Sequence, residues 1–206
     1  MSVRIARRGA ISASGAAAAV PVTYTIFADT TDGFISNHRT TATGGGTNVF
    51  TNEGYNAVGM DPFDFAQESF LAFDTSSIPD GATITSVTLS LWGEADGSTQ
   101  DFTIEARLYD WGASLTGADW RSIADLGSLT LLASRSSAGW AVGSYNVFTS
   151  EAAFLSNINK TGSTRFLLCS SRHRTNVDPS QNEYVHFEQA EASGTSNDPK
   201  LVVEAV

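Results

Sequence analysis

An aromatic ring left in solvent can stack on the apolar face of a sugar, and the four tryptophans Trp92, Trp111, Trp120 and Trp140 could each supply one. Tyr109-Asp110-Trp111-Gly112 stands at the end of a strand-like run, where a lectin-like loop site would sit. Tyr109, Trp111 and Trp140 are therefore the candidate glycan-binding residues. The competing expectation is that all four indoles plug the ends of a β-sandwich, Trp92 above all. Hydrolysis of a sugar chain would need two carboxylates facing each other across a cleft. With 22 acidic residues, coincidental pairs are guaranteed, so their number carries no weight.

Other chemistry is thinly supplied. His38, His173 and His186 are too scattered for a metal-ligand spacing, and neither Gly-x-Ser-x-Gly nor His-Glu-x-x-His occurs. No catalytic residue, metal or cofactor is expected. Asp61, Asp64 and Asp74 could lend oxygens to a calcium ion, though solvated turns account for them better. Arg172-His173-Arg174 is the one basic cluster in the body of the chain; it could meet an acidic glycan or a neighbouring subunit, but an exposed turn tip is the simpler reading. The single cysteine, Cys169, rules out an internal disulfide, and its place in Phe166-Leu167-Leu168-Cys169 reads as a small buried apolar residue.

The 206 residues are one domain's worth of chain, with Lys and Arg numbering 12 against 22 acids, a formal charge of −10. Hydrophobic residues make up 41%, enough for a core, while the charged fraction of 17% lies below the ~25% usual for globular domains. Polarity comes instead from Ser, Thr, Asn and 18 glycines, which suit short strands and many turns. The acidic balance argues against nucleic acid as a partner. No apolar run approaches the ~18 residues of a membrane span, so no membrane is expected either. Arg4, Arg7 and Arg8 open the chain with no acid near them. Residues 1–21 are expected to form an extended basic N-terminal arm that pairs with carboxylates on a partner. A cleavable signal peptide is not expected, because Gly9, Ser12, Ser14 and Gly15 interrupt the segment that would be its apolar region.

Alternation places the strands. Residues 22–27 are β-branched and aromatic, and 84–92 put Val87, Leu89 and Leu91 on a core face with Ser86, Thr88 and Ser90 on a wet one. Residues 102–109 alternate most clearly, with Phe102, Ile104, Ala106 and Leu108 inward and Thr103, Glu105, Arg107 and Tyr109 outward. Further strands are expected at 69–73, 164–170, 184–188 and 200–206, and short helices after Thr116 and Ser150. The stretch from Asp29 to Asp64, broken by Gly44-Gly45-Gly46, Gly54 and Gly59, reads as mostly loop with short extended pieces around Asn48 to Thr51. The sum is an all-β, antiparallel jelly-roll-like sandwich over residues 22–206, with one or two short connecting helices.

One segment is more specific. Phe70-Leu71-Ala72-Phe73-Asp74, then Ser76-Ser77-Ile78-Pro79, then Gly81-Ala82-Thr83 and the alternating strand to Leu91, resembles the central segment of the DNRLRE-type β-sandwich domains. Ala28-Asp29-Thr30 is similar to that family's opening and Asp198-Pro199-Lys200-Leu201-Val202-Val203 to its closing strand, whereas residues 115–182 depart from its pattern. The resemblance implies a relative of jelly-roll carbohydrate-binding modules, which occur in bacterial surface proteins and polysaccharide enzymes. One such domain behind a basic arm is also similar in format to accessory virion proteins of tailed bacteriophages. Two expectations result. One is a non-enzymatic structural protein on the virion surface, a capsid decoration protein made in the host cytoplasm. It would bind the major capsid protein or other virion subunits through Arg4, Arg7 and Arg8, form a homo-oligomer there, and stabilise the shell by mass action. The alternative is a carbohydrate-binding tail, fibre or lectin-like module that recognises host-surface glycans.

Overall fold

Strand-forming segments separated by Gly, Asp and Pro turns dominate the computed structural model, which describes residues 20–190 and 196–206. In chain order the strands are β1 (Val22–Phe27), β2 (Gly33–His38), β3 (Asn48–Phe50), β4 (Tyr55–Met60), β5 (Phe65–Asp74), β6 (Ile84–Asp96), β7 (Thr103–Leu108), β8 (Leu131–Ser136), β9 (Tyr145–Val147), β10 (Thr149–Ser150), β11 (Ser163–Ser170), β12 (Glu183–Glu188) and β13 (Lys200–Ala205). Three short helices, α1 (Ile123–Ser128), α2 (Ala152–Ser156) and α3 (Ser171–Thr175), join them, with a 3-10 turn at Gly117–Asp119. The turn is fixed by Asp119, whose carboxylate accepts the Thr116 backbone N–H at 2.9 Å and its hydroxyl at 3.0 Å. Residues 1–19, and with them Arg4, Arg7 and Arg8, lie outside the described residues. No helix among the described residues is long and apolar enough to cross a membrane.

The pairings are antiparallel and run β1-β13-β6-β12-β4-β5-β11-β7-β8-β10, with β2 branching from β5 and β9 from β6. This is the expected all-β, sandwich-like fold, made from one curled sheet. The curl falls at β6, whose first half pairs with β13 while Gly93 to Asp96 pair with β12. Between the resulting layers lies the main core, in which Val87, Leu89 and Leu91 of β6 meet Leu71 and Phe73 of β5 and Phe166 of β11.

A second core changes the expected picture. Ile35, Phe70, Trp120, Leu126, Leu167 and Cys169 form a separate buried cluster on the other side of β5 and β11. With both faces covered, the central strands need apolar residues at every position, which is why 70–73 and 166–169 are continuous apolar runs and not alternating ones. The wet face expected for residues 102–109 is therefore buried at Glu105 and Arg107, which are 6% and 7% exposed. Cys169 is buried as expected, and burial pushes its thiol well up.

The stretch read as mostly loop holds β3 where an extended piece was expected, and also β2 and β4, which were not expected. Neither Gly33-Phe34-Ile35-Ser36-Asn37-His38 nor Tyr55-Asn56-Ala57-Val58-Gly59-Met60 alternates, since both are largely buried throughout. Gly59 adopts φ 145° because a Cβ there would overlap the Glu183 carbonyl of β12. A glycine that the sequence offered as a breaker is a close approach between strands.

Candidate functional site

Period-two geometry sorts β12 into two sets: Val185 and Phe187 lie in the main core, and Tyr184, His186 and Glu188 face the other way. Cross-strand register sets Tyr55 of β4 opposite Glu188, Ala57 opposite His186 and Gly59 opposite Tyr184. The small Ala57 and Gly59 leave room for the large rings. His186 stacks on Tyr55, with ring centroids 4.4 Å apart and planes 14° from parallel, and lies 5.4 Å from Tyr184. Behind Tyr55, Phe34 follows at 5.7 Å and Phe50 stacks on Phe34 at 4.6 Å. Five rings thus form a row that runs from the interior of the β2–β3 hairpin to the surface of β12. Gly97 seats the last of them, for a Cβ there would run into the Tyr184 ring.

The outer end of this row is one wall of a groove of about 330 Å³. Phe65 stands at its rim, 36% exposed, with its ring 4.4 Å from that of His38. Ser36, Gln67 and Asp61 supply the polar lining. Asp61 is held in place by its own turn, its Oδ1 accepting the backbone N–H groups of Phe63 at 2.9 Å and Phe65 at 3.0 Å. Burial lowers the His186 pKa, so the imidazole is neutral at pH 7. The groove therefore offers aromatic surface, an amide, a hydroxyl, a carboxylate and an uncharged imidazole. These are the groups that stack on a sugar ring and satisfy its hydroxyls. Among the described residues lining this groove Asp61 is the one carboxylate.

The residues expected to bind sugar do not share this site. Trp111 and Trp140 are 4% and 5% exposed, and neither presents a face to solvent. Trp111 packs edge-on to Phe70 in the second core, with the Arg165 guanidinium 5.8 Å from its ring, and Trp140 has Arg135 at 5.9 Å. Tyr109 is half-buried; Arg121 covers its ring at 4.3 Å, and its hydroxyl donates to Asp119 at 3.1 Å. Burial raises that hydroxyl to about 12. Trp120 is fully buried and donates its indole N–H to the Thr41 carbonyl at 3.2 Å. Trp92, the ring most expected to plug the sandwich, is the one left half-exposed, edge-on to Tyr145 at 5.2 Å.

Arg172-His173-Arg174 is corrected as well. The three residues lie in the middle of α3 and turn inward onto buried carboxylates. Arg174 makes a two-pronged contact with Glu105, at 2.7 and 2.9 Å, and Arg107 reaches the same carboxylate at 2.9 Å. Burial alone would raise Glu105, but the Arg174 and Arg107 guanidiniums outweigh it and hold the carboxyl below its ordinary value. Arg172 pairs with Glu183 at 2.8 Å, and His173 Nδ1 lies 3.5 Å from Glu68 while its Nε2 meets the Arg39 carbonyl at 3.1 Å. Because that carbonyl takes the Nε2 proton, Nδ1 presents its lone pair to Glu68. Burial raises Glu68 well above the usual carboxylate range, so the pair is a protonated acid facing a neutral imidazole.

Asp61, Asp64 and Asp74 do not converge on a cation. Asp64 pairs with Arg39 at 2.8 Å, and Asp74, at the opposite end of β5, accepts the Ser76 N–H at 3.1 Å. Among the described residues no group of three acidic, histidine or cysteine side chains could hold a metal ion.

Tyr55, Phe65, Tyr184 and His186 were not read as site residues. The signal was present in Tyr184-Val185-His186-Phe187-Glu188, where apolar residues alternate with aromatic and polar ones, and a ring on the face opposite the core is a ring available to a ligand. Compared with known proteins, the chain matches no family model and no curated protein.

Proposed function

We propose that the protein is a non-enzymatic carbohydrate-binding module whose site is the groove between β2, β4, β5 and β12. The observation that carries this reading is the ring row ending in Tyr55, His186 and Tyr184, faced by Phe65 and by the polar groups of Ser36, Gln67 and Asp61. Stacking supplies the affinity and the fixed polar groups supply the orientation. The resemblance of residues 70–91 to DNRLRE-type domains points the same way. Affinity electrophoresis through gels containing soluble cellulose, starch or chitin derivatives tests it. Retardation of the wild-type protein that is lost in Tyr184→Ala and Phe65→Ala, both at unchanged melting temperature, is the expected result. Equal migration in all the gels would overturn it.

A second reading rests on charge. The arginines of the first eight residues precede a body holding all 22 acids, a pattern that suits an arm reaching to a neighbouring subunit. We propose on that ground that the module is carried on a larger particle such as a phage shell or tail. Copy number relative to the shell protein in density-banded particles tests this: a fixed stoichiometry supports it and absence removes it.

A further inference from the structure

We propose that the binding site continues past His186 into a second subsite ending at Trp92, and that its ligand is an extended, uncharged glycan chain rather than a chain end or an acidic polysaccharide. The inference rests on the carbohydrate-binding reading above and deepens it.

A second groove, of about 380 Å³, lies between β6, β12 and the turn at Val142 and Gly143, and His186 lines both it and the first. The two hollows therefore adjoin at the imidazole, on the face formed by β5, β4, β12 and β6. The far end repeats the logic of the near end: Trp92 offers a half-exposed indole held edge-on by Tyr145, across from the turn at Val142 and Gly143, where nothing stands within 4 Å of the Gly143 Cβ position. A single sugar fills one such hollow. Two hollows joined at a shared ring, each with its own aromatic platform, fit consecutive units of a chain.

Charge selects which chain. Glu94 and Glu188 line the second hollow. The β12–β6 register pairs His186 with Ala95 and Phe187 with Gly93, so Glu94 is the extra residue of a bulge, placed beside Glu188 by the slip. Burial and the Glu188 carboxyl beside it push the Glu94 pKa up to about 7. Even with one proton shared between the two carboxyls the pair keeps a net negative charge, so this end accepts hydroxyl or amide donors from a ligand and repels uronate, sulfate or phosphate groups. Among the described residues, no lysine or arginine lines either hollow to offset that repulsion.

Isothermal titration of the full chain with cello-, malto- and chito-oligosaccharides, from disaccharide to hexasaccharide, tests the proposal, with polygalacturonate as the acidic probe. For the series that binds, the hexasaccharide is expected to bind about tenfold more tightly than the disaccharide. Trp92→Ala should erase that gain while leaving disaccharide affinity unchanged, and polygalacturonate should not bind. Trp92→Phe, which keeps a ring, should retain most of the gain and guards against a folding defect in the alanine variant. Equal affinity for short and long chains, or a Trp92→Ala profile identical to wild type, overturns the second subsite and leaves the first standing. Tight binding of polygalacturonate overturns the charge argument. If no oligosaccharide or polysaccharide binds at all, both this proposal and the carbohydrate-binding reading fall.

Discussion

The α3 clamp and the His186 groove put polar and aromatic residues to opposite uses. In the clamp, Arg172, His173 and Arg174 are drawn inward to Glu183, Glu68 and Glu105, and these polar contacts, ionic at Arg174 and neutral at His173, fasten a helix over a second core. In the groove, Tyr55, His186 and Tyr184 are turned away from a core that is already filled by Val185 and Phe187. Residue type alone would assign the charges to the surface and the rings to the interior. Burial on both faces of β5 and β11 reverses this, because a covered sheet needs partners for the charges beneath its lid and has no further room for rings beyond its edge. Stability should therefore respond to the first region and ligand binding to the second.

The largest separation of the two comes from Arg174→Ala. It leaves Glu105 buried with Arg107 alone, and should cost about 2 kcal/mol in urea unfolding, with glycan affinity of the folded protein unchanged. A loss of affinity at full stability would place α3 in the site. Tyr184→Ala should do the reverse, weakening binding about tenfold, or ~1.4 kcal/mol, with unfolding free energy within ~1 kcal/mol of wild type.

Proton linkage gives a subtler contrast. Burial lifts Glu183 to about 7 from an ordinary 4.5, so between those values the folded protein holds a proton that the unfolded chain has released. Stability from this group is greatest at low pH and falls as pH rises through that window. His173 acts in the opposite sense: burial lowers it to about 4 from 6.5, and its contribution is lost as pH falls through that range. Glu183→Gln removes the first effect only, so the stability of wild type relative to the variant should decline between about pH 5 and about pH 8. A relative stability that stays level over that interval would show Glu183 to be ionised throughout. The smallest effect on binding is expected for Trp111→Phe, which should lower the melting temperature through the second core and leave glycan affinity untouched.

Much of the sandwich was legible because alternation survives wherever one face meets solvent or a polar layer, as in Val87, Leu89 and Leu91 or Val185 and Phe187. It failed for β2 and β4, which are buried nearly throughout and carry Gly33 and Gly59 where neighbouring backbone comes close. The side of the sheet taken by Glu105 and Arg107 was legible, but not the lid over it, since that lid depends on Trp111, Leu115, Trp120 and Leu126 from a segment with little strand or helix of its own. For the site, the strand that carries it was read and its outward residues were not. The tryptophans drew attention because they are the largest rings, yet a ring's use is set by what already covers its faces, and Arg121 and Phe70 cover Tyr109 and Trp111.

The most direct test of the central claim is a heteronuclear NMR titration of the labelled protein with the oligosaccharide series. Binding at the groove predicts saturable shifts in the amides of residues 55–60 and 184–188 and in the His186 imidazole, with the Trp111 indole resonance unmoved. Shifts centred on Trp111 and Trp140, with residues 184–188 silent, would contradict it.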